Sequence, residues 1–136
     1  MRKVIAVVLV LCAIACVPSV SFTEDAATVR LARAIYALAG QDSYEAKLAI
    51  GCIVMNRVAS PWFPDALEDV LKGQQQFPCG KQYDADSLKA AHAVLAGKRT
   101  LSADVLYYQA KDATAKWCID PCGEVGNFNF YKQSGE

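Results

Sequence analysis

Apolar residues recur at helical spacing in the first long segment after the N-terminus. Leu31, Ile35 and Leu38 fall on one face of a helix that the pattern predicts from about 28 to 39. Gly40 follows directly, in the C′ position where glycine commonly ends a helix. The segment therefore predicts an amphipathic helix with one face in the core.

The next segment predicts a second helix, from about 43 to 59, that is apolar nearly all round. Asp42 and Glu45 have the spacing of a capping box, with Asp42 capping the helix and Glu45 reaching back. A helix without a polar face belongs in the centre of a domain. Gly51 costs helix stability in the middle of this segment, which indicates close approach of another element.

Two shorter helices are predicted further along the chain. The third begins at the capping box Asp65-Ala-Leu-Glu68 and ends at Gly73. The fourth begins at Asp86 or Ser87 and is closed by Gly97.

After residue 100 the pattern changes to short aromatic and β-branched segments with turn residues between them. These predict strands in Val105–Gln109, Ala115–Ile119 and Val125–Tyr131. Helices followed by a few late strands indicate an α+β domain: a helical core with a small antiparallel β-sheet.

The N-terminus has the pattern of an export signal. Arg2 and Lys3 precede an uninterrupted apolar run over residues 4–17, which is shorter than the ~20 residues of a membrane span. Small residues then favour cleavage after Ser21. A less favoured alternative leaves Cys16 at the N-terminus as a lipid-acceptor cysteine of a lipoprotein.

Removing a signal peptide of residues 1–21 leaves one small domain, residues 22–136. The whole chain has 14 basic and 14 acidic residues, and without Arg2 and Lys3 the basic ones fall to 12. No block of like charge is present. This composition argues against nucleic acid as a partner, because such binding needs a basic surface.

Four cysteines remain after the signal: Cys52, Cys79, Cys118 and Cys122. An even number in an exported protein makes all four disulfide candidates, with three possible pairings. Cys52 lies in the apolar helix and could instead be a buried thiol. A zinc site of the other three with His92 is disfavoured, because the spacing is loose and the compartment is oxidising.

The chain offers little recognisable catalytic machinery. No phosphate-binding loop, nucleophile motif or metal-ligand spacing occurs, so no cofactor and no metal are predicted. Aromatic and amide side chains instead suit sugar-ring stacking and amide recognition, although each aromatic one is equally suited to filling a small core. These candidates are Trp62, Phe63, Gln76, Phe77, Tyr107, Tyr108, Trp117 and Asn127.

A series of motifs then resembles one known family in order and spacing. They are Leu31-Ala-Arg-Ala-Ile-Tyr36, Tyr44-Glu45, Met55-Asn-Arg-Val58, Ser60-Pro-Trp-Phe-Pro-Asp65, Gln76-Phe77, Leu106-Tyr-Tyr108, Trp117 and Val125-Gly-Asn-Phe-Asn-Phe-Tyr131. Together they resemble the SleB-like cell wall hydrolases, which include spore cortex-lytic enzymes. The resemblance covers about residues 29–132. It implies a lysozyme-like α+β fold that cuts peptidoglycan glycan strands, often as a lytic transglycosylase.

The chain departs from the family at the residues that matter most for chemistry. The family's catalytic Glu falls on Leu38, its second Glu on Asp42, and the His of its closing motif on Phe128. Leucine cannot donate a proton to a glycosidic oxygen. Asp42 and Glu45 are the nearest carboxylates and the candidate substitutes; Glu68 and Glu124 are more remote ones.

Three hypotheses follow from the resemblance and its departures. The chain is an exported peptidoglycan-cleaving enzyme that uses Asp42 or Glu45, with Gln76, Phe77, Tyr107, Tyr108, Trp117 and Asn127 binding substrate. Alternatively, it is a silent relative that binds glycan strands or regulates a partner hydrolase. The last alternative shares only the fold and has another function.

Overall fold

The computed structural model describes residues 25–73, 77–78, 80–113 and 121–133. This part of the chain forms four helices and three strands. They are α1 (Ala26–Ala39), α2 (Tyr44–Ala59), α3 (Leu67–Lys72), α4 (Ala85–Leu95), β1 (Val105–Ala110), β2 (Gly123–Val125) and β3 (Phe128–Lys132). The predicted α+β class, with helices first and a small late antiparallel sheet, is confirmed.

Helix α2 is the buried centre of the domain, as its apolar sequence predicts. Eleven of its sixteen residues are buried, and α1, α3, α4 and the sheet all pack on it. Gly51 is the point of closest approach: a Cβ there would lie 3.1 Å from Val94 on α4 and 3.2 Å from Ile35 on α1. The predicted close packing at this glycine is therefore confirmed.

The turn between α1 and α2 differs from the prediction at both helix ends. Gly40 ends α1 with a φ of −59°, in the right-handed region, so left-handed backbone is not what favours glycine there. Ser43, and not Asp42, caps α2, because the Ser43 hydroxyl accepts a hydrogen bond from Ala46 N at 3.2 Å. The Asp42 carboxylate is one residue too early to cap the helix and instead accepts a hydrogen bond from Asn127 N in the β2–β3 turn.

The starts of α3 and α4 also correct the sequence-based caps. Helix α3 begins after Ala66 without a side-chain cap, so the predicted box at Asp65 does not form. Helix α4 is capped by Asp84, whose Oδ1 accepts from Ser87 N at 2.7 Å, and not by Asp86 or Ser87. The Asp84 carboxylate also pairs with the buried Lys47 ammonium, at 2.9 Å, and this second contact holds it at the start of α4.

The sheet is antiparallel, with the strand order β1-β3-β2. The single segment predicted over Val125–Tyr131 is divided by a turn at Gly126 and Asn127, so it contributes the end of β2 and most of β3. Gly126 has a φ of 57°, the left-handed conformation that favours glycine in a tight hairpin. The strand predicted at Ala115–Ile119 lies outside the described residues.

Two side chains at the end of α2 hold β1 against the helices. Asn56 Nδ2 donates to the carbonyls of Ser102 and Val105, at 2.9 and 3.0 Å. Arg57 Nε donates to the Leu106 carbonyl at 2.8 Å. Both side chains belong to buried residues, so the bonds join the sheet to the central helix away from water.

Two of the four cysteines can be described, and both are free thiols. Cys52 is buried in α2, in keeping with the alternative of a buried thiol, and Cys122 is exposed. The disulfide prediction is therefore not supported for these two, and Cys79 and Cys118 lie outside the described residues. The predicted signal peptide lies outside them as well. Within the described ranges, no helix has the length and apolarity needed to span a membrane.

Candidate functional site

A small cavity lies where the end of α1 faces the β2–β3 turn. Its walls are residues 36–42 together with Asn127 and Phe128, and it encloses about 200 Å³. We call it the Leu38 pocket. It brings together the three positions at which the sequence departs from the family pattern: Leu38, Asp42 and Phe128.

Leu38 gives this pocket an apolar wall. The residue is half-buried and packs against the hydrophobic core, so part of its side chain stabilises the fold and part faces the pocket. Phe128, on the opposite element, is buried. The positions to which the sequence resemblance assigns the family's Glu and His therefore both carry hydrocarbon side chains, and neither side chain can donate or accept a proton.

Asp42 is the carboxylate among the described residues that line the pocket, and both of its oxygens accept hydrogen bonds. Oδ1 accepts from Ser43 N and Oδ2 accepts from Asn127 N, each at 2.8 Å. A Cβ on Gly126 would lie 2.6 Å from Oδ2, so only a glycine lets the turn close on the carboxylate. Asp42 therefore fastens the helix pair to the β-hairpin.

A row of aromatic rings runs from the pocket along the sheet. The Phe128 and Tyr108 ring centroids lie 6.1 Å apart in an edge-to-face arrangement, and Tyr108 lies 5.6 Å from Phe77. Burial raises the pKa of the Tyr108 phenol, and the positive charge of Arg57 partly offsets this. Phe77 is 3% exposed, so it supports the site from the core.

A second and larger cavity, of about 370 Å³, lies beside the end of α2. We call it the Trp62 cleft, and its main walls are Arg57, Trp62, Phe63, Asp69, Gly73 and Tyr107. It shares no lining residue with the Leu38 pocket.

Arg57 forms the floor of the Trp62 cleft. Its guanidinium carbon lies 4.6, 5.0 and 5.6 Å from the ring centroids of Phe63, Phe77 and Tyr107. Burial lowers the pKa of Arg57, while Tyr108 and Tyr107 oppose that effect. Aromatic faces thus take the place of water around a buried cation. In the sequence, Arg57 is a cation near the end of a helix that is apolar nearly all round, and this position alone indicates no role.

The structure brings only some of the predicted site residues together in one cavity. Asp42 and Asn127 meet at the Leu38 pocket, while Tyr107 lines the Trp62 cleft. Glu45 is exposed in the first turn of α2 and does not line the pocket. Gln76 and Trp117 lie outside the described residues. In the part of the chain that the structure covers, no group of three or more His, Cys, Asp or Glu side chains could hold a metal ion.

The fold and the pocket at the end of α1 define a lysozyme-like α+β domain, and solved structures show the same fold. The catalytic domain of SleB from Bacillus cereus aligns with a TM-score of 0.70 and 23% identity, over 85% of this chain and 97% of that one. The catalytic domain of the germination-specific lytic transglycosylase SleB from Bacillus anthracis aligns with a TM-score of 0.71 and 23% identity. That alignment covers 83% of this chain and 100% of the other.

The model of the Cell Wall Hydrolase family matches residues 41–131, which is more than half of the chain. The chain therefore belongs to this family, and the SleB-like resemblance found in the sequence motifs is confirmed. The match includes Asp42 and Phe128 and begins after Leu38. A comparison with curated protein sequences gave no match.

Proposed function

We propose that this chain is an exported peptidoglycan-directed protein that binds glycan strands without cleaving them. Membership of the cell wall hydrolase family supports peptidoglycan as the ligand. The loss of cleavage is supported by the apolar wall that Leu38 gives its pocket, because the sequence resemblance assigns the family's proton donor to Leu38.

The chemistry of glycan cleavage explains why this one position matters. A lytic transglycosylase uses a single carboxylic acid to protonate the glycosidic oxygen, and the same group then takes a proton from the sugar 6-hydroxyl. Ordinary glycoside hydrolysis divides the work between two carboxylates. A leucine does neither, and a buried phenylalanine at the position of the family's His adds no proton acceptor.

A second candidate function is cleavage with Asp42 as the proton donor. It is favoured by one observation, namely that Asp42 lines the same pocket as Leu38. Against it stand the two backbone N–H groups, of Ser43 and Asn127, that bind the two carboxylate oxygens and point them at the hairpin turn. A substrate would have to compete with the contact that joins the helices to the sheet. We therefore rank this function second.

The export part of the proposal rests on the sequence of the N-terminus. The short positive segment and the apolar run over residues 4–17 favour a cleaved signal peptide of residues 1–21. Peptidoglycan lies outside the cytoplasm, so export is consistent with the proposed ligand. For a protein that binds glycan strands without cleaving them, the proposal also includes the regulation of a partner hydrolase.

Sedimentation with insoluble peptidoglycan tests the binding. We expect the native protein to sediment with it, and we expect Ala37→Trp to weaken binding about 10-fold or more, equivalent to 1.4 kcal/mol. Ala37 is exposed and lines the Leu38 pocket, so a larger side chain there reduces the space in the pocket. Unfolding curves check that the variant keeps its packing beside Gly80.

Ala85→Trp is the matched control, because Ala85 is equally exposed on a helix but does not line the pocket. It should bind as the native protein does. A native protein that stays in the supernatant would end the proposal of glycan binding. Equal binding by Ala37→Trp and the native protein would move the binding site away from the Leu38 pocket.

A further inference from the structure

Trp62 is unusual among the large apolar side chains of the described residues. It is 66% exposed, and Tyr83, at 39%, is the other exposed one. Trp62 lies on the rim of a cavity of about 370 Å³, within the range of small-ligand sites, which begins near 300 Å³. An indole at the rim of a cavity can stack on a ligand that occupies the cavity, whereas an isolated aromatic side chain on the surface has no cavity beside it.

The walls and floor of the Trp62 cleft are held in place by buried contacts. Arg57 is 3% exposed and its Nε is bound to the Leu106 carbonyl. Phe63 packs over the guanidinium and lies 6.0 Å from the Tyr107 ring. The Tyr107 hydroxyl donates to Gln133 at 2.6 Å. A ligand would thus enter a preformed site and would pay little ordering cost.

The lining combines aromatic faces with a few polar groups. Trp62, Phe63 and Tyr107 give apolar surface, while Asp69 at the rim gives a hydrogen-bond acceptor and the buried Arg57 gives a positive charge beneath the floor. A pyranose ring has the same two characters, because its C–H groups form apolar faces and its hydroxyl and acetamido groups lie around the edge. The opposite charges of Asp69 and Arg57 favour a neutral polyhydroxyl ligand over an anion or a cation.

Strand β1 connects this cleft with the Leu38 pocket. Tyr107 faces the cleft, and its neighbour Tyr108 contacts Phe128, which lines the pocket. Successive residues of a strand point to opposite faces, so Tyr107 lines the cleft while Tyr108 points away from it and contacts Phe128. The cleft and the Leu38 pocket are therefore two separate surfaces.

We infer that the Trp62 cleft is a second carbohydrate subsite, which binds one pyranose ring of the glycan strand by stacking on Trp62. The inference rests on the proposed function, since it assumes that a glycan strand is the ligand. It extends that function by placing a binding surface on the far side of β1 from the Leu38 pocket. The proposed function thus gains a second binding surface, and neither surface requires a catalytic group.

Calorimetric titration of the purified protein with N-acetylchitohexaose, a soluble β-1,4-linked amino-sugar oligomer, tests the subsite. We expect Trp62→Ala to weaken binding about 3- to 10-fold, as for the loss of one aromatic contact. Gly73→Leu should weaken it similarly, by filling the cleft. Gly73 has a φ of −67°, which leucine adopts readily, and no described atom lies within 4 Å of a Cβ there.

Tyr83→Ala is the control, because it removes an exposed aromatic side chain that lines neither cavity. Its affinity should equal that of the native protein, and unfolding curves should show all three variants folded. Unchanged affinity in both Trp62→Ala and Gly73→Leu, alongside weakened binding by Ala37→Trp, would overturn the subsite and leave the proposed function standing. A native protein that binds neither the oligomer nor peptidoglycan would overturn both.

Discussion

Replacing Leu38 with glutamate is expected to give the protein a peptidoglycan-cleaving activity that, according to the proposed function, the native chain lacks. The substitution puts a carboxylic acid at the position that the sequence resemblance assigns to the family's proton donor, in a pocket whose other walls are already formed. General acid catalysis contributes about 10²–10⁴-fold to a rate, and we expect a gain of that order in muropeptide release. Release of soluble muropeptides from purified peptidoglycan, followed by chromatography, is the measurement.

Leu38→Gln is the control for that gain, because glutamine has the shape of glutamate but no proton to donate. Both variants remove the same apolar contacts from a half-buried position, so both should lose stability by a similar amount. Activity in Leu38→Glu alone identifies the proton as the missing element. If Leu38→Glu folds and binds but does not cleave, the defect extends beyond this residue, and Phe128→His in the same chain is the next substitution.

The second large effect is expected at the ion pair between α2 and α4. Lys47 is a buried residue and its Nζ lies 2.9 Å from Asp84 Oδ2. Asp84→Ala removes both this partner and the cap on Ser87 N, and leaves a buried ammonium uncompensated. Because the Asp84 side chain is 39% exposed, water partly replaces the lost carboxylate, and we expect a loss of about 2–3 kcal/mol in the free energy of unfolding. For a domain of this size, that lowers the melting temperature by about 5–15 °C.

Two matched variants separate the contributions of Asp84. Asp84→Asn retains a side-chain oxygen for the cap but loses the charge, so it should be less damaging than Asp84→Ala. Lys47→Met replaces the buried charge with an apolar chain of similar length and should be close to neutral. Equal stability of Asp84→Ala and the native protein would show that the ion pair and the cap contribute nothing.

The same pair gives a pH dependence with a defined sign. Burial alone would raise the pKa of Asp84, but hydrogen bonds from Ser87 and Lys47 outweigh it and lower the pKa from 3.8 to about 2. The native state therefore binds this proton less readily than the unfolded state does. The stabilisation is complete above pH 3.8 and is lost as the pH falls through about 2. The stability difference between the native protein and Asp84→Asn should shrink in that interval.

The helices were predictable from sequence because their apolar spacing is regular. Gly51 also indicated the contact of α2 with its neighbours, because a glycine inside a buried helix usually marks the close approach of another element. The helix caps were less predictable. Asp42 and Asp84 each have a second partner far along the chain, at Asn127 and Lys47, and those contacts decide which residue caps.

The site was predictable as far as motifs along the chain allow. The chemistry of aromatic and amide side chains gave the candidates for substrate binding, and the resemblance to the family implied the exchange of its catalytic Glu for Leu38. It could not show that Leu38, Asp42 and Phe128 share one pocket, because 85 residues separate Asp42 from Asn127 in the turn it binds. The role of Arg57 was also hidden, since its aromatic partners come from three separate segments.

The most direct test of the account is muropeptide release by the native protein. Purified protein is incubated with peptidoglycan at a concentration at which a cleaving member of the family acts, and soluble products are separated from the bound fraction. We expect the protein in the insoluble fraction and no muropeptides in solution. Muropeptides released by the native chain, and absent with Asp42→Asn, would contradict the loss of cleavage and assign the proton donor to Asp42.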